Sequence, residues 1–256
     1  MIYEYYYSLP EADLLTLLSK YVDVTIFWKD KSFPKHHQLA TVVFFLESNR
    51  NGLLLLGPVG SGKSKIVLDV CRAKEIKKCL YLCGTSVGVI EAEKQIQTHY
   101  PCKVSTLPQT DGVFILVSYG TLGRSNAYCV NNATGKKGTI KLNKDKVFEF
   151  VQALGCPDML ILDEAHVIVN DRTLIFSIIK ELRKHIKYVI IITGTPVSTQ
   201  ILDNGVIDTR DIDIFALLHL WEPNLFRNRQ AFVSTYDFKQ IQTTYKSVWV
   251  ANDRTV

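Results

Sequence analysis

One short stretch of the chain, residues 53–64, restricts the possible folds more than any other feature. It reads LLLLGPVGSGKS, an apolar run followed by the spacing G-x-x-x-x-G-K-S of a phosphate-binding loop. The four leucines predict a buried strand, and the residues after the loop predict a helix whose positive N-terminal end faces the same anion. Glycines let consecutive backbone N–H groups turn inward toward phosphate oxygens. The stretch therefore predicts a strand–loop–helix unit that binds a nucleoside triphosphate.

The residues of this loop have distinct predicted roles. Lys63 is placed to reach the β- and γ-phosphates, and the Ser64 hydroxyl is placed to ligate Mg²⁺. A glycine-rich turn that matches by chance is the alternative, but such a turn does not require a strand before it and a helix after it. The predicted nucleotide-binding residues of the loop are Gly57, Gly60, Ser61, Gly62, Lys63 and Ser64.

Composition excludes several classes of protein. With 256 residues, 47% hydrophobic and 21% charged, the chain has the composition of a globular protein with a core, not of a disordered one. No apolar run approaches the ~18 residues that cross a bilayer, and the N-terminus lacks the basic start and apolar stretch of a secretory signal. The six cysteines form no C-x-x-C pair, which favours reduced thiols in an intracellular protein over a zinc site.

Positive charge is concentrated in the body of the chain. The net charge is +5, whereas residues 1–30 hold two basic and five acidic residues, a net of −3, so that the remainder carries +8. A mildly basic body slightly favours a polyanionic partner such as nucleic acid.

From residue 53 onward, apolar runs alternate regularly with helical patterns. The predicted strands are 53–56, 80–83, 113–117, 159–162 and 188–192, and the predicted helices between them are 63–74, 87–99, 145–154 and 172–186. Such alternation is typical of an α/β fold with an open, mostly parallel sheet covered by helices on both faces. Further predicted elements are helices at 11–22 and 36–46, a strand considered at 24–28 and a β-hairpin at 128–142.

A polar cluster follows each of the five predicted strands. The clusters begin at Gly57, Gly84, Ser118, Asp163 and Thr193. In an open parallel sheet, ligands bind beyond the carboxyl ends of the strands. One edge of the sheet is therefore predicted to be the functional surface.

The cluster DEAH, residues 163–166, supplies the predicted catalytic groups. Asp163 is placed to hold Mg²⁺ beside a triphosphate on Lys63, and Glu164 to orient or deprotonate the attacking water. His166 can bridge this site to a neighbouring loop by hydrogen bonds. A solvated loop or helix cap is the alternative for the two carboxylates, and a structural hydrogen bond is the alternative for His166.

The cluster TGTP, residues 193–196, presents two hydroxyls on a loop that a glycine and a proline shape. By itself, a strand-ending turn without chemistry would explain it equally well. Its position at the predicted functional edge is what makes it a candidate.

Taken in order, these motifs resemble the first RecA-like lobe of superfamily 2 helicases, and most closely the Swi/Snf-type double-stranded DNA translocases. The phosphate loop, DEAH and TGTP are similar to that family's motifs I, II and III. The other segments that look like family motifs are 80–101 (motif Ia), 115–122 (motif Ib), and 213–226 with 229–236 (the helical run after motif III). The resemblance covers residues 31–240.

The resemblance implies a site for ATP and Mg²⁺ in which Gln38, in the segment HHQLATVVFFL, contacts adenine. It also implies that His166, Thr193 and Thr195 couple this site to nucleic acid, most closely double-stranded DNA. The implied nucleic-acid contacts are Thr85, Ser86, Ser118, Tyr119 and Thr121. Hydroxyls and amides at strand ends suit phosphate oxygens, although helix capping is an equal alternative for Thr85 and Ser86.

The chain also departs from the family pattern. Its phosphate loop is closer to the general NTPase spacing, and the family's second lobe, which supplies an arginine finger worth about 10³–10⁵ in rate, has no counterpart here. We therefore expect this chain alone to bind ATP·Mg²⁺ but to hydrolyse it slowly, with a second RecA-like lobe as its partner. The predicted organisation is an N-terminal extension (1–30), a RecA-like lobe (31–200) and a C-terminal helical extension (201–256), in an intracellular protein of the nucleus or another site of DNA metabolism.

Two other functions are compatible with the sequence. One is a phosphate-loop ATPase of another class, such as an AAA-type or DNA-packaging motor, and the other is a non-catalytic adaptor that binds nucleotide. The predicted hairpin also carries a basic patch, either a solvated surface or a DNA-backbone contact, formed by Lys136, Lys137, Lys141, Lys144 and Lys146.

Overall fold

The computed structural model describes residues 3–25, 33–124, 129–130, 141–195, 200–201, 207–208, 214–235, 238–242 and 247–251. Within these ranges the helices are α1 (Tyr3–Ser8), α2 (Glu11–Leu18), α3 (His36–Glu47), α4 (Lys63–Ala73), α5 (Ser86–His99), α6 (Tyr119–Arg124), α7 (Lys144–Ala153), α8 (Leu174–His185), α9 (Ile214–Trp221) and α10 (Arg229–Thr235), with a 3₁₀ helix over Ala165–Ile168. The strands are β1 (Gly52–Leu56), β2 (Cys79–Cys83), β3 (Val104–Thr106), β4 (Phe114–Ser118), β5 (Cys129–Val130), β6 (Lys141–Leu142), β7 (Met159–Leu162), β8 (Tyr188–Thr193), β9 (Gln200–Ile201), β10 (Ile207–Asp208), β11 (Phe238–Gln242) and β12 (Ser247–Ala251).

A six-stranded parallel sheet in the order β1-β8-β7-β2-β4-β3 forms the centre of the fold. Successive residues of a strand point to opposite faces. In β7, Met159 and Ile161 join one buried cluster, while Leu160 and Leu162 join the other. Both faces are therefore covered, which explains why the strands are continuously apolar. The predicted open parallel sheet with helices on both faces is confirmed.

The predicted elements of this sheet agree with the structure to within one residue at each strand end. The edge strand β3 was not predicted, because three residues carry too little pattern to identify a strand.

The N-terminal helices pack against the body of the fold. Tyr6 of α1 and Leu14 and Leu18 of α2 are at most 2% exposed and belong to the same apolar cluster as the inner face of α3. Helix α2 ends at Leu18, before the predicted end at residue 22. The strand considered at 24–28 lies mostly outside the described residues. The boundary predicted at residue 30 stays a prediction.

The predicted hairpin between β4 and β7 is present as an antiparallel strand pair. Cys129 pairs with Leu142, and Val130 pairs with Lys141. Of the predicted basic patch, Lys144 and Lys146 are exposed at the start of α7, whereas Lys136 and Lys137 lie outside the described residues.

The C-terminal region contains helices and also strands that were not predicted. Helix α9 packs over β1 and β8, and this contact requires a glycine, because a Cβ on Gly52 would lie 2.7 Å from both the Trp221 Cδ1 and the Trp221 carbonyl oxygen. Beyond α10, β11 and β12 form an antiparallel pair, although the prediction for 201–256 named only helices. None of the described helices combines the length and apolar character needed to span a membrane.

Helix α4, which begins at the phosphate loop, contains a buried ion pair. The Lys65 Nζ lies 2.5 Å and 2.6 Å from the two carboxylate oxygens of Asp69, and the two residues are 7% and 1% exposed. Charges at this depth cannot regain hydration, and the Arg72 Nη1 also lies 3.8 Å from the Asp69 Oδ1, so Asp69 neutralises two largely buried cations.

We expect Asp69→Asn to destabilise the fold by about 3 kcal/mol, because it removes the buried negative charge that faces both Lys65 and Arg72. Urea unfolding followed by circular dichroism measures this change. The control is Glu149→Gln, which removes the carboxylate of the solvent-exposed pair Lys146–Glu149 and should leave the urea midpoint unchanged. Equal midpoints for both variants would contradict the assignment.

Candidate functional site

The five predicted polar clusters lie at the carboxyl-end edge of the sheet, on neighbouring strands. The Gly57 amide donates to the Thr193 carbonyl at 3.3 Å, so the phosphate loop adjoins the loop after β8. A Cβ placed on Gly84 would lie 3.3 Å from the Glu164 Cβ, so the loop after β2 adjoins the loop after β7. Ser118 ends β4 beside β2. These loops thus form one surface. Gly57 and Thr193, for example, are 136 positions apart in the sequence and are joined by a hydrogen bond.

The phosphate loop curls around the ammonium group of its own lysine. Gly60 and Gly62 have φ values of +81° and +80°, in the left-handed region that residues with a Cβ rarely adopt. Lys63, the first residue of α4, donates from Nζ to the carbonyls of Gly57 at 2.7 Å and Pro58 at 2.8 Å. The result is a tight turn that presents backbone amides, a cation and a helix N-terminus to one small volume, a combination suited to phosphate.

Gln38 lies directly against this loop. Its side chain is 6% exposed, and its Oε1 accepts a hydrogen bond from the Lys35 amide at 2.8 Å, which caps α3. A Cβ on Gly62 would lie only 1.9 Å from the Gln38 Nε2. The adjacent His37 contacts the Ser61 carbonyl through Nε2 at 3.0 Å. The start of α3 therefore supports the phosphate loop, and the contact between Gln38 and adenine stays a prediction.

Both oxygens of the Asp163 carboxylate are held by hydrogen bonds. The Tyr81 hydroxyl donates to Oδ2 at 3.0 Å, and the Glu164 amide donates to Oδ1 at 3.0 Å. Burial is the main reason that the pKa of Asp163 is raised, and the charge of Glu164 adds to this effect. The two hydrogen bonds and the positive charge of Lys63 oppose it. Asp163 is thus oriented and lies within the electrostatic range of the phosphate-loop lysine.

Glu164 occupies a strained backbone position. Its φ of 50° and ψ of 46° are left-handed, a conformation that is costly for a residue with a long side chain and that concentrates at functional sites. The side chain is half exposed, and its Oε2 lies 3.1 Å from the His166 Nδ1. Gly84 allows this arrangement, because any larger residue there would press on the Glu164 Cβ. The strained turn therefore lies at the end of β7, where the Glu164 carboxylate is half exposed beside His166.

A polar chain connects Glu164 to the loop after β8. The His166 Nδ1 that faces Glu164 also lies 3.4 Å from the Thr193 Oγ1. Thr193 is fully buried, and its Oγ1 accepts a hydrogen bond from the Thr195 amide at 3.2 Å. The three residues predicted to couple the motifs are therefore adjacent, Thr195 through its backbone. Pro196 lies outside the described residues.

The oxygen groups of the site fit Mg²⁺ that is shared with a nucleotide. Among the described residues, no group of three or more His, Cys, Asp or Glu could hold a metal ion. Mg²⁺ in proteins usually takes one or two side-chain oxygens and completes its shell with phosphate oxygens and water. Asp163 and the half-buried Ser64, beside Lys63, offer that donor set. The arrangement does not suit a metal centre built from protein ligands alone.

Two of the predicted nucleic-acid contacts serve as helix caps. Thr85 accepts a hydrogen bond from the Gly88 amide at 3.1 Å and caps α5. Ser118 accepts one from the Thr121 amide at 3.1 Å, and its Oγ lies 2.9 Å from the Thr121 Oγ1. Ser86, Ser118 and Thr121 also share the wall of a small cavity of about 180 Å³. Ser86 and Thr121 are exposed to solvent. Of the three residues, Ser86 and Thr121 are therefore open to solvent, whereas Ser118 is buried.

Tyr119 is buried, and its predicted nucleic-acid contact stays a prediction. Its ring is 4% exposed because α6 turns inward after Ser118. Within the described part of the chain its hydroxyl has no hydrogen-bond partner. Burial raises the pKa of Tyr119 well above its usual value, and the charge of Asp163 adds to this effect, ahead of smaller contributions from Cys83 and Glu164. Tyr119 belongs to the buried apolar cluster that includes Leu160 and Leu162 of β7.

Sequence reasoning missed two residues that support the site, Tyr81 and His37. The signal for Tyr81 was a phenol inside an otherwise apolar strand, since a buried hydroxyl requires a partner. His37 had no comparable signal, because its contact with the Ser61 carbonyl joins segments 24 positions apart.

Comparison with known proteins identifies one family and one related fold. A family model described as the SNF2-related domain matches residues 67–253, a range that begins after the phosphate loop. A solved structure, the Sulfolobus solfataricus SWI2/SNF2 ATPase core in complex with dsDNA, is similar at 20% identity with a TM-score of 0.53 over 78% of this chain. This chain spans 38% of the length of that one. No curated protein sequence matches it significantly. At this identity the structural likeness establishes the RecA-like fold.

The two left-handed glycines of the phosphate loop allow a matched stability test. Gly60→Ala adds a Cβ in open space, so we expect only the cost of a left-handed alanine, about 1–2 kcal/mol. Gly62→Ala carries the same cost and also displaces Gln38 from the Lys35 amide, so we expect a loss larger by about 1 kcal/mol. Chemical denaturation measures both changes.

Combining Gly62→Ala with Gln38→Ala supplies the control. If the two side chains collide, the double variant should be more stable than the sum of the single effects implies. Strict additivity, or equal losses for the two glycine variants, would show that Gln38 does not pack on this loop.

Proposed function

The chain belongs to the family of SNF2-related domains, and on that basis we propose that it is the ATP-binding lobe of a nucleic-acid-dependent ATPase of the Swi/Snf-like branch. The single observation that carries the proposal is the convergence of a phosphate loop and the DEAH carboxylates at one sheet edge, where the parallel strands β1, β8 and β7 end side by side. Membership of this family sets aside the AAA-type and DNA-packaging motors. The phosphate loop lies outside the matched range, so its role is supported by geometry.

In the proposed binding mode, free backbone amides of the phosphate loop and the Lys63 ammonium hold the β- and γ-phosphates. Ser64 and Asp163 hold Mg²⁺, which neutralises charge on the phosphates when bound. We assign the adenine contact to Gln38, which is buried beside Gly62 of the phosphate loop. Hydrogen bonds to the Gly57 and Pro58 carbonyls hold the Lys63 ammonium in the loop before a ligand binds. On binding, Lys63 would replace these bonds with bonds to phosphate oxygens.

Hydrolysis is assigned to Glu164 as the base that orients or deprotonates the attacking water. Its half-exposed carboxylate is reachable by water, and its left-handed backbone fixes the direction of the side chain. The His166 Nδ1 lies 3.1 Å from the Glu164 Oε2.

We assign to His166, Thr193 and Thr195 the coupling between nucleotide and nucleic acid. His166 contacts both the Glu164 carboxylate and the Thr193 hydroxyl through one nitrogen. A movement of Glu164 on nucleotide binding would therefore change the hydrogen bonding of the loop after β8. That loop in turn contacts the phosphate loop through Gly57.

Double-stranded DNA is the proposed polymer. The similar Sulfolobus structure is described as an ATPase core in complex with dsDNA. In this chain the proposed contacts are Thr85, Ser86, Ser118 and Thr121, whose hydroxyls and neighbouring amides suit phosphate oxygens and do not read base sequence. Tyr119 and Ser118 are similarly buried, at 4% and 6% exposed, and the contact of Tyr119 stays a prediction.

We also propose that a second RecA-like lobe completes the active site. The chain spans 38% of the similar ATPase core, and its described residues place no arginine among the groups that contact the phosphate loop or DEAH. Without a cation at the transferring phosphate, a phosphoryl-transfer site loses about 10³–10⁵ in rate. The lobe alone should therefore bind ATP·Mg²⁺ and turn it over slowly.

Substitutions in the phosphate loop and in DEAH should separate binding from hydrolysis. Lys63→Ala removes a charged donor to phosphate, so we expect ATP affinity to fall by about tenfold or more. Glu164→Gln keeps the shape of the base without its charge, so binding should persist while hydrolysis falls by about 10²-fold. Fluorescent-nucleotide titration and single-turnover phosphate release measure the two effects.

Lys180→Ala, in an exposed position on α8, is the control and should change neither measurement. Wild-type ATP affinity in Lys63→Ala would contradict the proposed site. If the 256-residue chain alone hydrolyses ATP at about 10 s⁻¹, a typical enzyme rate, the proposed need for a second lobe is contradicted. Nucleotide binding without any hydrolysis, unchanged by Glu164→Gln, would favour the non-catalytic adaptor.

Coupling through His166 has its own test. In the wild type, a non-hydrolysable ATP analogue should change duplex DNA affinity by about five-fold or more, the usual size of coupling between two sites. His166→Ala should bring the ratio of the two affinities close to one and leave ATP affinity unchanged. Anisotropy of a labelled duplex measures the ratio. His185→Ala, on α8 beside Phe148, should behave as the wild type; an unchanged ratio in His166→Ala would remove His166 from this role.

A further inference from the structure

The phenol of Tyr81 is an unusual group in the centre of a parallel sheet. Tyr81 is the middle residue of β2, paired with Leu116 of β4 and Ile161 of β7. It is 2% exposed and belongs to the apolar cluster on the face that α4 covers. An apolar side chain would fill this position without cost, whereas a buried hydroxyl destabilises the fold unless it finds a hydrogen-bond partner.

The partner of this hydroxyl is the carboxylate of Asp163. The Tyr81 hydroxyl donates to the Asp163 Oδ2 at 3.0 Å, while the Asp163 Oδ1 accepts from the Glu164 amide at 3.0 Å. The Asp163 backbone is fixed as well, because its amide donates to the Leu82 carbonyl at 2.8 Å. One hydrogen bond on each oxygen fixes the plane of the carboxylate and leaves lone pairs on both oxygens for another ligand.

We propose that Tyr81 is a positioning residue, which holds the Asp163 carboxylate in the orientation that receives the metal ion of the nucleotide. The inference rests on the proposed role of Asp163 in holding Mg²⁺. Tyr81 itself touches neither metal nor nucleotide in this scheme. Groups that orient a ligand in this way typically contribute 10- to 100-fold to metal affinity.

A second tyrosine provides a matched comparison. Tyr119 is also buried, its electrostatic environment includes the same carboxylates, and its hydroxyl has no hydrogen-bond partner among the described residues. Tyr81→Phe and Tyr119→Phe therefore each remove one buried hydroxyl that lies near the Asp163 charge, the first from the apolar cluster on one face of the sheet and the second from the cluster on the other. Only the first substitution removes a hydrogen bond to Asp163.

The experiment uses the full 256-residue chain with Mn²⁺ and a non-hydrolysable ATP analogue. Electron paramagnetic resonance of Mn²⁺ gives the metal affinity of the nucleotide complex, and a fluorescent analogue in EDTA gives the metal-free nucleotide affinity. For Tyr81→Phe we expect Mn²⁺ affinity to fall by about tenfold or more, with metal-free nucleotide affinity unchanged. For Tyr119→Phe we expect both affinities to equal those of the wild type.

Three outcomes would overturn the inference. Wild-type Mn²⁺ affinity in Tyr81→Phe is the first, and an equal fall in metal-free nucleotide affinity, which indicates general loss of structure, is the second. The third is an equal fall in Tyr119→Phe, which would show that the hydrogen bond is not the cause.

Asp163→Asn separates this inference from the proposed function. If Asp163→Asn leaves Mn²⁺ affinity unchanged, the proposed metal role of Asp163 fails, and the role of Tyr81 fails with it. If Asp163→Asn lowers Mn²⁺ affinity while Tyr81→Phe does not, Asp163 holds the metal and only the positioning role of Tyr81 is overturned.

Discussion

The register between neighbouring parallel strands is the constraint on which the candidate site depends. Leu56 pairs with Thr193, Leu162 with Ile191, and Leu82 with Leu162, so that β1, β8, β7 and β2 end within two residues of one another. The loops that follow these strands are then within hydrogen-bonding reach of each other. A slip of one residue would move a strand's side chains to the opposite face and carry its loop out of place. Two apolar cores, one on each face, hold the register.

Polar groups at this edge are oriented by one another because they are partly removed from water. Asp163 is bonded on both oxygens, Thr193 accepts from the Thr195 amide, and Lys63 donates to two loop carbonyls. A buried polar group without a partner destabilises the fold, so few alternative arrangements compete with this one. Charges that are held in place before a ligand binds need little rearrangement when it does. The same bonds therefore serve the stability of the edge and its proposed chemistry.

The limits of sequence prediction are clearest where a side chain could serve two purposes. For Thr85, the sequence predicted a helix cap and a nucleic-acid contact equally well. The structure shows the cap, because the Gly88 amide at the start of α5 donates to the Thr85 hydroxyl. The inward direction of Tyr119 depends on how α6 packs, which no local pattern records. The contact of Gln38 with the phosphate loop joins segments far apart in the chain. The family resemblance identified Gln38 as a candidate site residue, but it did not predict that Gln38 lies against Gly62.

The sequence by itself determined the strand–loop–helix unit at residues 53–64, the alternation of strands and helices, and the polar cluster after each strand. These features follow from local rules of periodicity, turn chemistry and phosphate-loop spacing, which act within a few residues. Only the tertiary structure decided that Tyr81 holds Asp163, that His166 faces both Glu164 and Thr193, and that Tyr119 is buried. Those relations depend on strand order and register, because they join residues that meet only after the sheet has formed.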